Sequence, residues 1–314
     1  MTESESTYRL QQRAREWDVN VERTVETESS LVAFGERSSA VQSVVLKIIK
    51  QPGDEWRAGE VLKAFDGRGV VRVYEHAPGA VLMERLSPGT PLVDLVLNGK
   101  DDEATDILAV VMQQMSEPED VWMPGIGRQV SAAQWRTPLE ANQPKPDTRY
   151  QTPAFPTTYD WARGFDRYIA SRDGQIPRDL VESAQQIYVK LAATQREPRL
   201  LHGDLQHYNV LFDSVRGWVA IDPKGVIGEV EYEIGAAMRN PVERPDLFLS
   251  PQTIARRLKQ FTDRLNLDYN RTVRWTFAQS VLSAIWNVED GFEVGPLDSS
   301  LRLAKAILPM IEMP

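Results

Sequence analysis

Four polar residues in one short stretch have the types and the spacing needed for phosphoryl transfer. His202, Asp204 and Asn209 form the pattern H-x-D-x-x-x-x-N, and Asp222 follows thirteen residues later, after an apolar run. In such a set the first aspartate accepts the proton of a hydroxyl, while the asparagine and the second aspartate hold magnesium. The alternative is a strand–turn–strand whose polar residues only shape turns. Because all four residues keep the spacing, we predict Asp204 as catalytic and Asn209 and Asp222 as Mg²⁺ ligands.

The motifs around these residues resemble a known family. They are H-G-D-x-x-x-x-N-V-L at His202–Leu211, I-D-P-K-G-V-I-G at Ile221–Gly228 and R-N-P at Arg239–Pro241. This combination resembles the aminoglycoside phosphotransferase superfamily, and within it the streptomycin 6-phosphotransferase and hydroxyurea antibiotic resistance kinase group. Glu229 and Glu233 depart from the pattern, since the family usually has aspartate there. The resemblance implies an α+β, protein-kinase-like bilobal fold, with a small β-rich N-lobe, a larger mainly helical C-lobe, and ATP and Mg²⁺ as cofactors.

The composition argues against several other classes of protein. The chain has 314 residues, of which 42% are hydrophobic and 26% charged, as in globular proteins. Its net charge of −9 disfavours a nucleic-acid partner, which needs basic patches, and is compatible with a cationic substrate. The absence of cysteine excludes disulfides and thiolate zinc sites. Without a membrane-length apolar run or a signal peptide, we expect a cytoplasmic protein that uses no membrane, and nothing implies a protein partner.

The β-branched run Val41–Ile49 predicts a strand that carries Lys47. In a kinase N-lobe a lysine at this place contacts the α- and β-phosphates; the alternative is a solvated strand lysine. The preceding loop, Gly35–Ser39, would then lie over the phosphates. It lacks the G-x-G-x-x-G pattern, so we expect backbone N–H groups and the hydroxyls of Ser38 and Ser39 to cradle the nucleotide.

The next segment, Asp54–Phe65, predicts an amphipathic helix with apolar residues at i, i+3, i+4 and i+7. Glu60 lies on this helix, and we predict that it pairs with Lys47 as the kinase helix glutamate does. Glu55 competes for that role. Being nearer the helix start, it is more typical of a surface charge that the helix dipole favours.

Two further strands are predicted at residues 70–74 and 80–86. The resemblance implies that the second strand runs into an interlobe hinge, where backbone groups from Glu84 to Leu86 receive adenine. We therefore place the N-lobe, with the nucleotide-binding sheet and helix, at residues 1–86. The C-lobe, with the catalytic loop, the metal ligands and the acceptor-binding region, takes residues 87–314.

Five prolines interrupt residues 136–158. Loops of this length are usually lids, binding loops or disordered segments. A lid and a disordered linker remain equally good interpretations.

The acceptor is predicted to meet the C-terminal helices. One of them ends in W-N-V-E-D, so Trp286 could stack on a sugar or guanidinium group, and Glu289 and Asp290 could meet its positive charge. Glu231 is a weaker candidate for the same role. The alternative is a solvated helix end with Trp286 in the core.

No D-F-G or A-P-E motif follows Asp222, which argues against a protein kinase. We therefore expect transfer of the ATP γ-phosphate to a hydroxyl of a small cationic, aminoglycoside-like substrate of the streptomycin type. Two alternatives stay open. One is a kinase of another small hydroxylated metabolite or amino sugar, and the other is a catalytically weak nucleotide-binding module of the same fold.

Overall fold

The computed structural model describes residues 3–116 and 155–312. Most of the proline-rich stretch, whose interpretation as a lid or linker was left open, lies outside the described residues. The described residues form two compact units: 3–115 with 202–225, and 116 and 155–201 with 226–312. This division differs from the predicted boundary after residue 86. The strand and helices that follow residue 86 stay with the first unit, and so does the segment that carries Asp204, Asn209 and Asp222.

Strands predominate in the first unit and helices in the second, an α+β arrangement that confirms the predicted fold class. The strands are β1 (Val19–Glu26), β2 (Ser30–Arg37), β3 (Gln42–Ile49), β4 (Val73–Ala77), β5 (Ala80–Glu84), β6 (Pro88–Pro91), β7 (Arg199–Leu201), β8 (Val210–Asp213), β9 (Gly217–Ala220) and β10 (Val226–Gly228). The helices are α1 (Glu3–Glu16), α2 (Ala58–Phe65), α3 (Val93–Leu97), α4 (Asp101–Ser116), α5 (Thr158–Trp161), α6 (Arg163–Ser171), α7 (Arg178–Ala193), α8 (Val230–Met238), α9 (Pro245–Phe248), α10 (Pro251–Leu265), α11 (Tyr269–Glu289) and α12 (Ser299–Glu312). None of the described helices is both long and apolar enough to cross a membrane.

The first unit is built on an antiparallel sheet with the strand order β1-β2-β3-β5-β4. Successive side chains of each strand point to opposite faces of this sheet. Val44, Leu46 and Ile48 of β3 form one core with α1, which contributes Leu10. Lys47, between them in sequence, therefore projects from the opposite face of the sheet.

Strand β1 forms one edge of this sheet and was not predicted. Its side chains are mostly exposed, and its pairing with β2 is interrupted by a register shift between Val21 and Arg23. Such a shift is typical of a β-bulge at a sheet edge.

The hairpin of β8 and β9 belongs to the same unit because segments of that unit pair with both of its strands. Strand β6 pairs with β8, and the segment before β4 contacts β9. There, the Val71 N–H donates to the carbonyl of Ala220 at 3.0 Å, and the Ala220 N–H donates to the carbonyl of Gly69 at 2.8 Å. The residues at both ends of the hairpin are thus fixed relative to the five-stranded sheet.

The second unit is a helical assembly around α11, together with the two-stranded antiparallel pair of β7 and β10. Trp275 of α11 is fully buried and packs edge-on against Tyr188 and Tyr232, with ring centroids 4.9 and 5.2 Å apart. The buried carboxylate of Glu229, just before α8, accepts hydrogen bonds from the Trp275 indole and from the guanidinium of Arg271. A buried charge is tolerated when it is paired and hydrogen-bonded in this way.

Candidate active site

His202 connects the two segments that carry the predicted catalytic residues. Its fully buried imidazole donates from Nε2 to the carbonyl of Ile221 at 2.8 Å and accepts at Nδ1 from the Asp204 N–H at 3.3 Å. The tautomer follows from this pattern, because a backbone N–H can only donate. Burial lowers the pKa of His202, which agrees with a neutral ring. His202 therefore packs in the interior and orients the loop.

Asn209 and Asp222 lie at the two ends of the hairpin. Asn209 Nδ2 donates to the carbonyl of Asp204 at 2.9 Å, which leaves Oδ1 as the side-chain atom able to meet a cation. Asp222 adopts a φ of 58°, in the left-handed region that residues other than glycine seldom occupy. Such backbone conformations cluster at functional sites.

The donor set of these two residues fits a hard cation, since both offer oxygen. Among the described residues there is no group of three or more histidine, cysteine, aspartate or glutamate side chains that could enclose a metal ion. Mg²⁺ does not need such a cage. It is usually bound by one or two protein carboxylates together with substrate phosphates and water.

Lys47 forms two ion pairs within the first unit. Its Nζ lies 2.9 Å from Asp222 Oδ1 and 3.0 Å from Glu55 Oε2, and only 6% of its side chain is exposed. Burial by itself lowers the pKa of Lys47, but the two carboxylates outweigh burial and raise the pKa above its ordinary value. The ammonium is therefore charged in a nearly dry position beside Asp222.

The predicted pairing of Lys47 with Glu60 is wrong, because Glu55 takes that place. A 3₁₀ turn, Asp54–Arg57, precedes α2 and places the half-buried Glu55 against Lys47. At 100° per residue, Glu60 lies about 200° around the helix from the buried Ala58, and so points away from the sheet. Its carboxylate pairs with Arg57 instead. The i, i+3 spacing from Glu55 to Ala58 was visible in the sequence.

The predicted phosphate contacts of Ser38 and Ser39 are also wrong. Lys47 pairs across the sheet with Val32, and Ser38 lies six residues further along the chain, about 20 Å away at strand spacing. The N–H groups of both serines instead donate to Asp18, at 3.0 and 2.8 Å. The turn at the Lys47 end of the sheet is the one between β1 and β2, residues 27–29.

A cavity of about 310 Å³ opens beside Lys47 on this face of the sheet. Glu84 and Leu86 line it, as the hinge prediction requires. The Glu84 carboxylate is engaged elsewhere, because it accepts the Arg72 N–H at 2.8 Å and pairs with Arg216. Apolar side chains form most of the remaining wall: Val32, Phe34, Val45, Val71, Met83, Leu211 and Ile221. Apolar walls with a few fixed polar groups are typical of cofactor sites.

Lys224 is a residue whose role the sequence left unassigned. Its Nζ lies 3.9 Å from Asp204 Oδ2. The N–H groups of Lys224 and Gly225 both donate to the carbonyl of His202 at 2.9 Å, which fixes this loop against the one that bears Asp204. The I-D-P-K-G motif was the available signal, but the sequence did not indicate which carboxylate the lysine would meet.

The predicted acceptor-binding residues all lie in the second unit. Trp286 is half-buried and packs edge-on against Trp161, with centroids 5.3 Å apart. Glu289 forms two hydrogen bonds with Arg167, at 2.8 and 3.0 Å, so its charge is already neutralised within the protein. Asp290 is the exposed residue that ends α11.

Glu231 differs from the other acids because it is buried, in the first turn of α8. Burial raises its pKa; its own backbone N–H opposes this, and the neighbouring Glu229 adds to it. A buried carboxyl with a raised pKa is a recurrent property of functional sites, although structural networks also produce it.

The fold and the site define a phosphotransferase of the kinase type that acts on small molecules. Residues 16–133 and 138–291 match the family described as "Aminoglycoside/hydroxyurea antibiotic resistance kinase", and the chain belongs to that family. This confirms the resemblance seen in the motifs.

Individual relatives and solved structures agree with this placement. The chain is 31% identical to a streptomycin 3''-kinase of Klebsiella pneumoniae over 79% of this chain and 80% of that protein. It is 26% identical to a streptomycin 6-kinase of Streptomyces griseus over 89% of this chain and 81% of that protein. Its fold matches a thermostable mutant of an aminoglycoside phosphotransferase, solved with AMP-PNP and hygromycin B. The TM-score is 0.63 at 15% identity, over 99% of this chain and 100% of that one.

Proposed function

We propose that the protein transfers the γ-phosphate of ATP to a hydroxyl of a small cationic aminoglycoside of the streptomycin type. The observation that carries the proposal is the pairing of Lys47 with Asp222 at 2.9 Å, beside a cavity of nucleotide-binding character. Asp204 and Asn209 are joined to the same hairpin by hydrogen bonds. A phosphate-binding cation, two oxygen ligands and a hydroxyl acceptor in one frame meet the requirements of phosphoryl transfer.

The nucleotide base would occupy the cavity, with its polar edge against the backbone from Glu84 to Leu86. Lys47, oriented by Glu55, would contact the α- and β-phosphates. Asn209 and Asp222 would hold Mg²⁺, which would neutralise phosphate charge. Ser38 and Ser39 have no part in this arrangement.

Asp204 would accept the proton of the acceptor hydroxyl as its oxygen bonds to the γ-phosphorus. The bond from that phosphorus to the oxygen of the β-phosphate would break, and ADP would leave. General-base assistance of this kind contributes about 10²–10⁴-fold to the rate. The ammonium of Lys224, 3.9 Å from the carboxylate, adds positive charge where the phosphoryl group would pass. Such charge is most effective where negative charge develops in the transition state.

The streptomycin-type acceptor is supported by the names of two relatives, which phosphorylate streptomycin at different positions. Trp286, Asp290 and Glu231 are the residues we propose to meet its cationic groups. Glu289 is a weaker candidate than the sequence suggested, because Arg167 competes for it. A smaller acceptor such as hydroxyurea, named in the family description, is the second candidate because it does not need several free acids.

The test is a mass-spectrometric assay of the purified protein with ATP, Mg²⁺ and streptomycin, with hydroxyurea and a set of amino sugars in parallel. We expect streptomycin to gain the mass of one phosphoryl group, and Asp204→Asn to reduce this product at least about a hundredfold. Phosphorylation of another acceptor in preference to streptomycin would show that streptomycin is not the preferred substrate. Absence of any phosphorylated product, with ATP unspent, would contradict the proposed activity.

A further inference from the structure

Arg216, in the turn between β8 and β9, joins the hairpin to the wall of the cavity. Its guanidinium donates to the carbonyl of Val70 at 3.1 Å and to that of Gly67 at 2.6 Å, and it forms an ion pair with Glu84. Only 16% of the arginine side chain and 12% of the glutamate side chain are exposed. The three acceptors come from two separate segments of the first unit.

The turn itself is held in the shape that this contact requires. Asp213 Oδ1 accepts the N–H groups of Val215 and Arg216, each at 2.9 Å. The other oxygen of Asp213 accepts the Ser87 N–H at 2.8 Å, directly after the predicted hinge. The backbone of the turn is therefore fixed before the guanidinium reaches its partners.

Arg216 lies in the turn of the hairpin whose two ends carry the candidate metal ligands. Asn209 immediately precedes β8, and Asp222 follows β9 by two residues. Glu84 ends β5 and lines the cavity proposed to hold the base. One guanidinium thus links the hairpin that bears both oxygen ligands to the strand that ends at the hinge.

We propose that Arg216 is a positioning residue, which holds Asn209 and Asp222 in register with a nucleotide bound in the cavity. The inference rests on the proposed function, since it concerns the binding of Mg²⁺ with a nucleotide. Residues that hydrogen-bond metal ligands directly typically affect metal affinity or activity by about 10–100-fold. Arg216 acts through the hairpin, so we expect an effect at the lower end of that range.

The geometry requires arginine in particular. A planar guanidinium carries five N–H donors in a fixed fork and can satisfy a carboxylate and two carbonyls at once. A lysine ammonium keeps the charge, but it is a compact group on a flexible stem. Arg216→Lys therefore separates the positioning role from the charge alone.

The experiment measures ADP affinity by calorimetry in EDTA and again in Mg²⁺, for wild type, Arg216→Met, Arg216→Lys and Glu84→Gln. Arg57→Met is the matched control, because Arg57 lies in the same unit but pairs with Glu60 on an exposed face. We expect both Arg216 variants to keep metal-free ADP affinity and to lose about tenfold of the gain that Mg²⁺ gives. Glu84→Gln should lose less, and Arg57→Met nothing.

Turnover with ATP provides the second reading. The Arg216 variants should require more Mg²⁺ for half-maximal rate, with a lower kcat and little change in the KM for the acceptor. A lower unfolding temperature with an unchanged Mg²⁺ response would make Arg216 merely structural and would overturn the proposal. If Arg216→Met does not fold, Arg216→Lys and Glu84→Gln decide. If the ADP affinity of the wild-type protein is the same in EDTA and in Mg²⁺, both this proposal and the proposed function are contradicted.

Discussion

The proposed nucleotide site of the first unit and the candidate acceptor residues of the second unit are organised differently. In the first unit, the candidate site residues contact one another: Lys47 pairs with Asp222, and the Asn209 side chain donates to the backbone of Asp204. In the second unit, Trp286 packs on another tryptophan and Glu289 pairs with an arginine. If the proposed roles hold, the residues for phosphoryl transfer are fixed by a dense network, whereas those for acceptor recognition also serve the local packing.

The largest effect should come from breaking the network at Asp222. We expect Asp222→Ala to lower kcat by about a hundredfold or more, because a catalytic metal ion contributes several kcal/mol and 1.4 kcal/mol corresponds to tenfold. Initial rates at saturating ATP measure the effect, and circular dichroism establishes that the variant is folded. Asp246→Ala, an exposed acid in the second unit, is the control. Near wild-type turnover in Asp222→Ala would contradict the assignment of Asp222 as a Mg²⁺ ligand.

A smaller effect should follow when the orientation of Lys47 is disturbed. Glu55→Gln weakens one of its two ion pairs, so we expect the KM for ATP to rise about tenfold, the usual value of a charge-assisted hydrogen bond. Glu60→Gln should leave the KM for ATP unchanged, because its partner is Arg57. Equal effects of the two substitutions on this KM would contradict the geometry of α2.

The smallest effect concerns Glu231, and it separates function from stability. Burial raises the pKa of this carboxyl in the folded state, so the folded protein binds more protons than the unfolded chain above the ordinary glutamate pKa. Stability therefore decreases as the pH rises through the folded-state pKa, and the ionised group destabilises the fold at neutral pH. We expect Glu231→Gln to raise the unfolding temperature at pH 7. The difference between the unfolding temperatures at pH 5 and pH 7 should be smaller in this variant than in the wild type.

The acceptor adds a second reading for the same variant. If Glu231 meets a cationic group, Glu231→Gln should raise the KM for streptomycin by up to about tenfold and spare the KM for ATP. Asp290→Asn, at the exposed end of α11, should act in the same direction but not alter stability. Unchanged acceptor KM values in both variants would favour a neutral acceptor.

The two regions also differ in how far the sequence could predict them. The contact between Asn209 and the backbone of Asp204 could be predicted because these residues lie five positions apart, where local spacing fixes their geometry. Predicting the partner of Lys47 requires knowing which residues of α2 and of the turn before it face the sheet. The sequence did not reveal the 3₁₀ turn, and the wrong glutamate was therefore predicted. The engagement of Glu289 by Arg167 spans 122 residues, and no local pattern indicates it.

The error at Ser38 and Ser39 came from a missed strand. With β1 unrecognised, the turn after β2 was taken for the one that lies over the phosphates. The sequence of β1, V-N-V-E-R-T-V-E, has a bulge in the middle and little buried surface, so its alternation does not indicate a buried face. Strand patterns are clear only where one face packs on a core.

The polar edge strand β1 also bears on how the protein behaves at high concentration. An open sheet edge presents unpaired N–H and C=O groups to which another chain can add a strand. Glu22 and Arg23 place charges of both signs along this edge, and the bulge between Val21 and Arg23 distorts its hydrogen-bonding row. Natural proteins discourage such pairing by these means. The features that concealed β1 in the sequence therefore also protect the five-stranded sheet from edge-to-edge aggregation.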